Sequence, residues 1–289
     1  MEIDMVLLEI KDLVKVYNEE YMLDKLNFTV EEGNFFAVIG AENSGKTPLL
    51  EIIVGLKFQQ EGRVIFFEEE DANENRINFV PDDIASYEDI SAAQLFERTL
   101  RRHKLDNIKE CQALCDLFEI EVDEPLAKMT FDKNKCVTLI NAIISKPNLL
   151  ILDEPYDFLS EDNYQKLLNV LKRRCERGMT VIISCEKYLD VKGYCNQYIY
   201  LKDGDLVKKG VIDENFRPWR LVTVEECDFD AFKAIGAMPV NLVGNKKYFV
   251  YKGDMKLLAS AIAASGCNYF LVEELTLEEQ LFLNFERWN

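Results

Sequence analysis

The sequence predicts an α/β protein with a mostly parallel sheet, a helical block set into that sheet, and a small α+β unit at the C-terminal end. Three observations carry this. Apolar runs at Phe35–Ile39, Leu149–Leu152 and 181–183 are continuous rather than alternating, the pattern of strands buried on both faces. Between the last two runs, Leu167, Leu168, Leu171 and Cys175 keep helical spacing. Ser160 precedes them as a cap and Gly178 stands where the helix would stop, which makes a βαβ crossover. Past about residue 215 short strand and helix signals alternate instead.

The elements follow in order. From about 85 to 147 the patterns are helical, with AAQLFERTL after Ser91 and VTLINAII after a polar start. The stretch KDGDLVKKGVIDENFRPWR, rich in charges and turn residues, marks a boundary near 215 and divides the chain into 1–215 and 216–289. The second part reads as a strand at 221–224, a short helix at 228–235, strands about a Gly244-Asn245 turn, a helix at 254–264 and a strand at 269–272. A last helix opens at Thr276, with Glu279 completing a capping box. The acidic run at 68–71 reads as a solvated turn.

Composition narrows the function. The chain has 289 residues and a net charge of −18, which repels a phosphate polymer, so nucleic acid is not expected as a partner. No run approaches the roughly 18 apolar residues of a membrane span. The first residues are acidic where a secretion signal is basic, so a cytoplasmic location is expected and any membrane role comes through a partner. The eight cysteines form no CxxC pair and the single histidine, His103, lies in a basic run, so free thiols are expected rather than a zinc site.

The strongest motif is GAENSGKT at 40–47, which fits GxxxxGK[ST] and follows directly on the Phe35–Ile39 run. Its chemistry explains its form. Backbone N–H groups of a tight loop (Gly40, Asn43, Ser44, Gly45) wrap phosphates, Lys46 supplies a point charge, and the Thr47 hydroxyl ligates Mg²⁺. Asn43 tolerates left-handed backbone, and Pro48 loses nothing within a first helical turn. The second motif, NLLILDEP at 148–155, ends an apolar strand in two carboxylates. Asp153 is placed to hold the Mg²⁺ shell, and Glu154 to orient or polarise the attacking water as the catalytic group.

These motifs, their order and the helical block between them resemble the ATP-binding cassette (ABC) ATPases of transporters, over residues 1 to about 212. The resemblance implies a P-loop NTPase fold, ATP and Mg²⁺ as cofactors, and stacking of adenine on Tyr17. It implies a dimer with an identical or a different cassette, and peripheral attachment to the membrane through a membrane-spanning subunit. Residues 77–83 resemble the lid strand, whose family glutamine is here Asp82, a further metal contact by position. The switch histidine is replaced by Glu186, and the LSGGQ signature aligns with MTFDK at 129–133, where Phe131 and Asp132 stand for glycines and Asp132 reads as a helix N-cap. Lys133 could return some positive charge there. Ser160 occupies the position of a dimer-contacting aspartate.

An ionised carboxylate accepts hydrogen bonds and cannot donate one to a phosphate. Asp82, Asp153, Glu154 and Glu186 gathered around one nucleotide therefore imply weak binding, raised carboxylate pKa values or an extra metal, with hydrolysis weak or absent. The C-terminal part resembles the extension of some export cassettes, so an exporter subunit is expected. A nucleotide-sensing scaffold is the alternative; a soluble translation or repair cassette is disfavoured by the acidic single domain.

Overall fold

The computed structural model describes residues 5–17, 20–67, 77–83, 90–211, 219–225, 228–243, 246–275 and 279. The chain divides into two compact units, Met1–Ile212 and Asp213–Asn289.

The first unit contains a sheet that the continuous apolar runs did not reveal. Strands β1 (Val6–Tyr17), β2 (Glu20–Glu31) and β4 (Glu61–Phe66) form an antiparallel three-stranded sheet in the order β2-β1-β4. Its signal is period-two: Leu26, Phe28 and Val30 are buried while Lys25, Asn27 and Thr29 are exposed.

The larger sheet is the expected one. Strands β3 (Phe35–Ile39), β5 (Ile77–Val80), β6 (Leu149–Leu152), β7 (Thr180–Cys185), β8 (Gln197–Lys202) and β9 (Asp205–Val211) take the order β5-β6-β7-β3-β8-β9. Every pairing is parallel except β8 with β9. Helix α1 (Lys46–Ile53) buries Leu49, Leu50, Ile52 and Ile53 in one core with Leu8, Leu26 and Phe28 of the small sheet and Phe36, Val38 and Ile151 of the large one. Helices α2 (Ala92–Arg102), α3 (Ile108–Phe118) and α4 (Phe131–Ile144) form the helical block between β5 and β6, and α5 (Glu161–Cys175) makes the crossover from β6 to β7. Ser160 caps α5 as its spacing predicts, and Ser91 caps α2.

Parallel register sets the site. Val80 pairs with Leu152, Leu152 with Ile183, and Ile39 with Cys185, so the segments leaving β5, β6, β7 and β3 emerge at one edge. Ligands of open parallel sheets bind at such carboxyl ends.

The second unit runs β10 (Arg220–Glu225), α6 (Asp230–Ala234), β11 (Met238–Val243), β12 (Lys246–Tyr251), α7 (Met255–Ser265) and β13 (Tyr269–Glu274). Its antiparallel order β11-β12-β10-β13 is a split βαβ arrangement, with Val222, Val224, Phe232, Phe249 and Leu258 in its core. The 244–245 turn, the 68–71 run, Cys227 and the helix expected from Thr276 lie outside the described residues, Glu279 apart. Among the described residues the cysteines are free thiols, and no helix is long and apolar enough to cross a membrane.

Candidate functional site

The phosphate loop leaves the fully buried β3 and turns into α1 through backbone that its sequence allows. Asn43 has φ 62 and Gly45 φ 103, both left-handed. A Cβ on Gly45 would lie 2.7 Å from Leu23 Cδ2 and 2.9 Å from Met22 O, so glycine is required on two counts. Pro48 falls within the first turn of α1, where its missing N–H costs nothing. No side chain caps α1 and no acid stands in its first turn, which leaves its amides to a ligand. Lys46 is buried, and its Nζ donates to Gly40 O at 2.6 Å and Ala41 O at 2.7 Å while pairing with Glu154 Oε1 at 3.0 Å. Ser44 Oγ is buried with no hydrogen-bond partner among the described residues.

Asp153, only 1% exposed, ends β6. Its Oδ1 accepts from Ser184 Oγ at 2.6 Å, and the Ser184 and Thr47 hydroxyls both favour the ionised carboxylate. Burial nevertheless holds its pKa above the ordinary value, and Oδ2 has no hydrogen-bond partner among the described residues. The Ser184 oxygen accepts in turn from Glu154 N at 2.8 Å, so one hydroxyl on β7 orients both carboxylate residues. Sequence reasoning missed this role; the signal was a serine at the end of an otherwise apolar strand. Glu154 itself has φ 39, outside the regions most side chains adopt.

Of the four carboxylates expected around one nucleotide, the structure brings Asp82 and Glu154 together and adds a fifth, Asp157. Asp82, Glu154 and Asp157 bring carboxylate oxygens within 4.8 Å of one another. The Asp153 carboxylate is held by Ser184 and its charge reaches Asp82, and Glu186 remains exposed, its charge reaching Asp157. Burial first and Asp157 second raise the Asp82 pKa; burial first and Glu154 second raise that of Asp157. Asp157 enters because the β6–α5 turn, with Asp157 N donating to Glu154 O, folds it back beside Glu154. Tyr17 ends β1 and is 61% exposed.

The 129–133 segment also departs from its reading. Thr130, not Asp132, caps α4, accepting from Lys133 N at 3.3 Å. Asp132 instead accepts from Ser160 N and Asn163 Nδ2, both at 2.7 Å, because the start of α5 lies within its reach. Phe131 is 73% exposed and its ring lies 5.9 Å from that of Phe158. Lys133 carries its charge away from the start of α4, since its Nζ donates to Phe118 O at 2.6 Å and lies 4.0 Å from Glu119 Oε2. Two residues beyond, Lys135 is 1% exposed, and sequence reasoning passed over it because one lysine in a helix has no motif.

A glycine loop between a buried parallel strand and a helix, a buried lysine within it, and an Asp at a neighbouring strand tip define a P-loop nucleotide-binding protein. Comparison with known proteins carries the assignment further. The family described as ABC transporter matches residues 23–157. ABC transporter G family member 23 of Dictyostelium discoideum is 26% identical over 221 residues, 72% of this chain but 31% of that protein. The ribose import ATP-binding protein RbsA of Caldanaerobacter subterraneus is 24% identical over 225 residues, 72% of this chain and 45% of that one. The chain thus spans less than half the length of these two relatives. A solved ATP-binding subunit of an ABC transporter superposes with TM-score 0.65 at 20% identity, covering 89% of this chain and 99% of that one. An ATP-binding cassette solved as a dimer with ADP and phosphate gives TM-score 0.61 at 22% identity, covering 71% and 99%. Residues 23–157 thus match the ABC transporter family, and the fold is that of its ATP-binding cassettes.

Proposed function

We propose that this chain is the ATP-binding subunit of an ABC transporter, that it binds Mg-ATP, and that it hydrolyses ATP weakly or not at all by itself. The observation that carries the binding half is the buried Lys46 within an uncapped, glycine-turned loop beside Asp153. Lys46 is preset for phosphate oxygens, which would replace its contacts with Gly40 O, Ala41 O and Glu154. Asn43 and Gly45 shape the loop so that its amides, with those of Ser44, converge on the phosphates, and Tyr17 offers an exposed ring for the base. The residues present fit Mg²⁺: the Thr47 hydroxyl favours the ionised Asp153 carboxylate, and the buried Oδ2 of Asp153 lacks a hydrogen-bond partner among the described residues. When bound, Mg²⁺ would neutralise phosphate charge at these oxygens. Ser184 keeps Asp153 in place for it, and Asp82 could add an outer contact.

Weak hydrolysis is supported on two counts. Glu154, the candidate to polarise water, is paired with Lys46 and sits among like charges. The start of α4, which would meet a second cassette's phosphate, is occupied by Thr130, Asp132 and the exposed Phe131. A cassette with an intact signature is therefore the more useful dimer partner, because it could complete this chain's own site. The dimeric solved relative supports pairing as such. A membrane-spanning subunit at the cytoplasmic face would receive the movement. Export is the direction that the resemblance of the C-terminal unit favours, while a relative named for ribose import shows that the cassette alone does not decide it.

Calorimetry with a non-hydrolysable ATP analogue and Mg²⁺, alongside phosphate release, tests this reading. Saturable binding with little turnover supports it. Brisk ATPase of the isolated chain, abolished by Glu154→Gln, would overturn the weak-hydrolysis half. A nucleotide-sensing scaffold remains a second reading, favoured by the blocked start of α4. It gains if tagged protein extracted in mild detergent brings down no integral membrane protein.

A further inference from the structure

Lys135 lies on α4 with 1% of its surface exposed, and the mechanism above makes no use of it. A lysine so deep is costly unless its ammonium is answered by acceptors or opposite charge. Both are present. Its Nζ donates to two successive carbonyls of the lid segment, Pro81 O at 3.1 Å and Asp82 O at 2.8 Å. The same segment carries the Asp82 carboxylate, which shares with Glu154 and Asp157 the space where three carboxylate oxygens lie within 4.8 Å of one another. The charges that act on Lys135 are Asp82 first, then Asp157, Asp153 and Asp83.

The lid strand β5 is short, and its pairing with β6 ends at Val80 and Leu152, so among the described residues no strand pairing holds Pro81 and Asp82. Lys135 supplies the tether from the opposite side, out of the helical block. Asp82 would otherwise add a second uncompensated carboxylate to a pocket meant for a polyanion. A methylene stem through the core and a cation at its end solve both problems with one residue.

We propose that Lys135 is a positioning residue of the nucleotide site: its ammonium fixes the Pro81–Asp82 backbone against α4 and serves as the resident cation of the Asp82 and Asp157 carboxylates, as Lys46 does for Glu154, in place of a second divalent ion. The consequence for nucleotide binding rests on the Proposed function above; the consequence for the carboxylate group does not. The effect of Lys135 on the site passes through Asp82, whose carbonyl it holds.

The test uses the full chain as wild type, Lys135→Met, Asp82→Asn and the Lys135→Met Asp82→Asn pair. Methionine keeps the stem and suits a buried position, so the variant retains its packing. Two readouts are taken: affinity for Mg-bound non-hydrolysable ATP analogue, and Mn²⁺ binding by electron paramagnetic resonance without nucleotide. Lys135→Met is expected to weaken analogue binding about tenfold, as an unbalanced charge near the site would. It is also expected to acquire a Mn²⁺ site that wild type lacks. Adding Asp82→Asn should return affinity to within about threefold of wild type and abolish the new Mn²⁺ site, because the coupled charge is gone.

Equal weakening in Lys135→Met and in the double variant, with no Mn²⁺ site in either, would reduce Lys135 to a packing residue. Unchanged analogue affinity in Lys135→Met would overturn the proposal as well. If wild type binds no analogue, the functional reading fails, and the Mn²⁺ readout alone then decides Lys135: a site gained on its removal upholds the resident cation, and none overturns it.

Discussion

Helix α1 is entered from Gly45 with no side-chain cap and no acid in its first turn, whereas α4 is entered from Thr130, whose hydroxyl accepts from Lys133 N, with Asp132 just inside. The physics of the two ends is the same: unpaired amides and the positive end of a helix dipole attract an anion. The difference lies in what answers them. At α1 the amides are left to a ligand, and a lysine waits beside them. At α4 the chain answers itself, and Asp132 goes on to bind Ser160 N and Asn163 Nδ2 at the start of α5. The altered signature is therefore more than a loss of glycines. It is a joint between the helical block and the crossover helix, at a place where an open cassette would offer amides to its partner.

The largest effect that sharpens this contrast is expected from Lys46→Ala, which removes charge-assisted hydrogen bonds and should lower affinity for the Mg-bound ATP analogue by about 100-fold. Lys133→Ala, at the other helix, should change it by less than about twofold, since that ammonium serves Phe118 O. Calorimetry on both variants reads the contrast directly, and comparable losses would erase it. Next in size, Asp132→Ala should cost about 2 kcal/mol of stability by urea unfolding, since two hydrogen bonds to a charged acceptor are lost. Nucleotide affinity should be unchanged. A variant as stable as wild type would show that the joint holds nothing together.

The same contrast explains what the sequence made legible. The α1 site could be read because its residues are demanded by backbone geometry: Gly45 at φ 103 and Asn43 at φ 62 leave few alternatives, and the motif keeps them in fixed order next to a continuous apolar strand. The α4 end could be read only as different. That Asp132 would bridge to α5 rather than cap its own helix depends on a partner 28 residues away along the chain. Asp157 and Lys135 were invisible for the same reason: Asp157 meets Asp82 only once β5 pairs with β6, and Lys135 only after the helical block docks on the parallel sheet. The β1, β2 and β4 sheet was missed although Leu26, Phe28 and Val30 alternate plainly, because attention to continuous runs favours strands buried on both faces.

A smaller effect should come from the cap itself. Thr130→Ala leaves Lys133 N without its acceptor and is expected to cost about 1 kcal/mol of stability, read from the shift of the urea midpoint, a typical value for an N-cap. If the amides so freed were then able to take a phosphate, added inorganic phosphate would stabilise Thr130→Ala more than wild type. The Asp132 carboxylate beside them argues that it will not. A phosphate-dependent shift confined to the variant would mean that the cap alone separates α4 from α1.

The smallest effect probes the charges on the open side. Burial first, then neighbouring carboxylates, hold Asp82 and Asp157 above the ordinary value of 3.8, and burial does the same for Asp153 against the opposing hydrogen bonds of Ser184 and Thr47. The folded protein therefore binds these protons more tightly than the unfolded chain. Where the native state holds more protons, stability falls as pH rises, so these groups favour the fold in acid and weaken it above their raised pKa values. Asp82→Asn removes one of them without touching the backbone carbonyl that Lys135 grips. The variant should unfold at slightly higher urea than wild type at neutral pH, by less than the Thr130 cap is worth, and the advantage should fade as pH falls toward 3.8. An advantage that persisted undiminished to that pH would mean that Asp82 acts through its shape or its contacts and not through its charge. The open side of the site would then be less strained electrostatically than three carboxylates so close together imply.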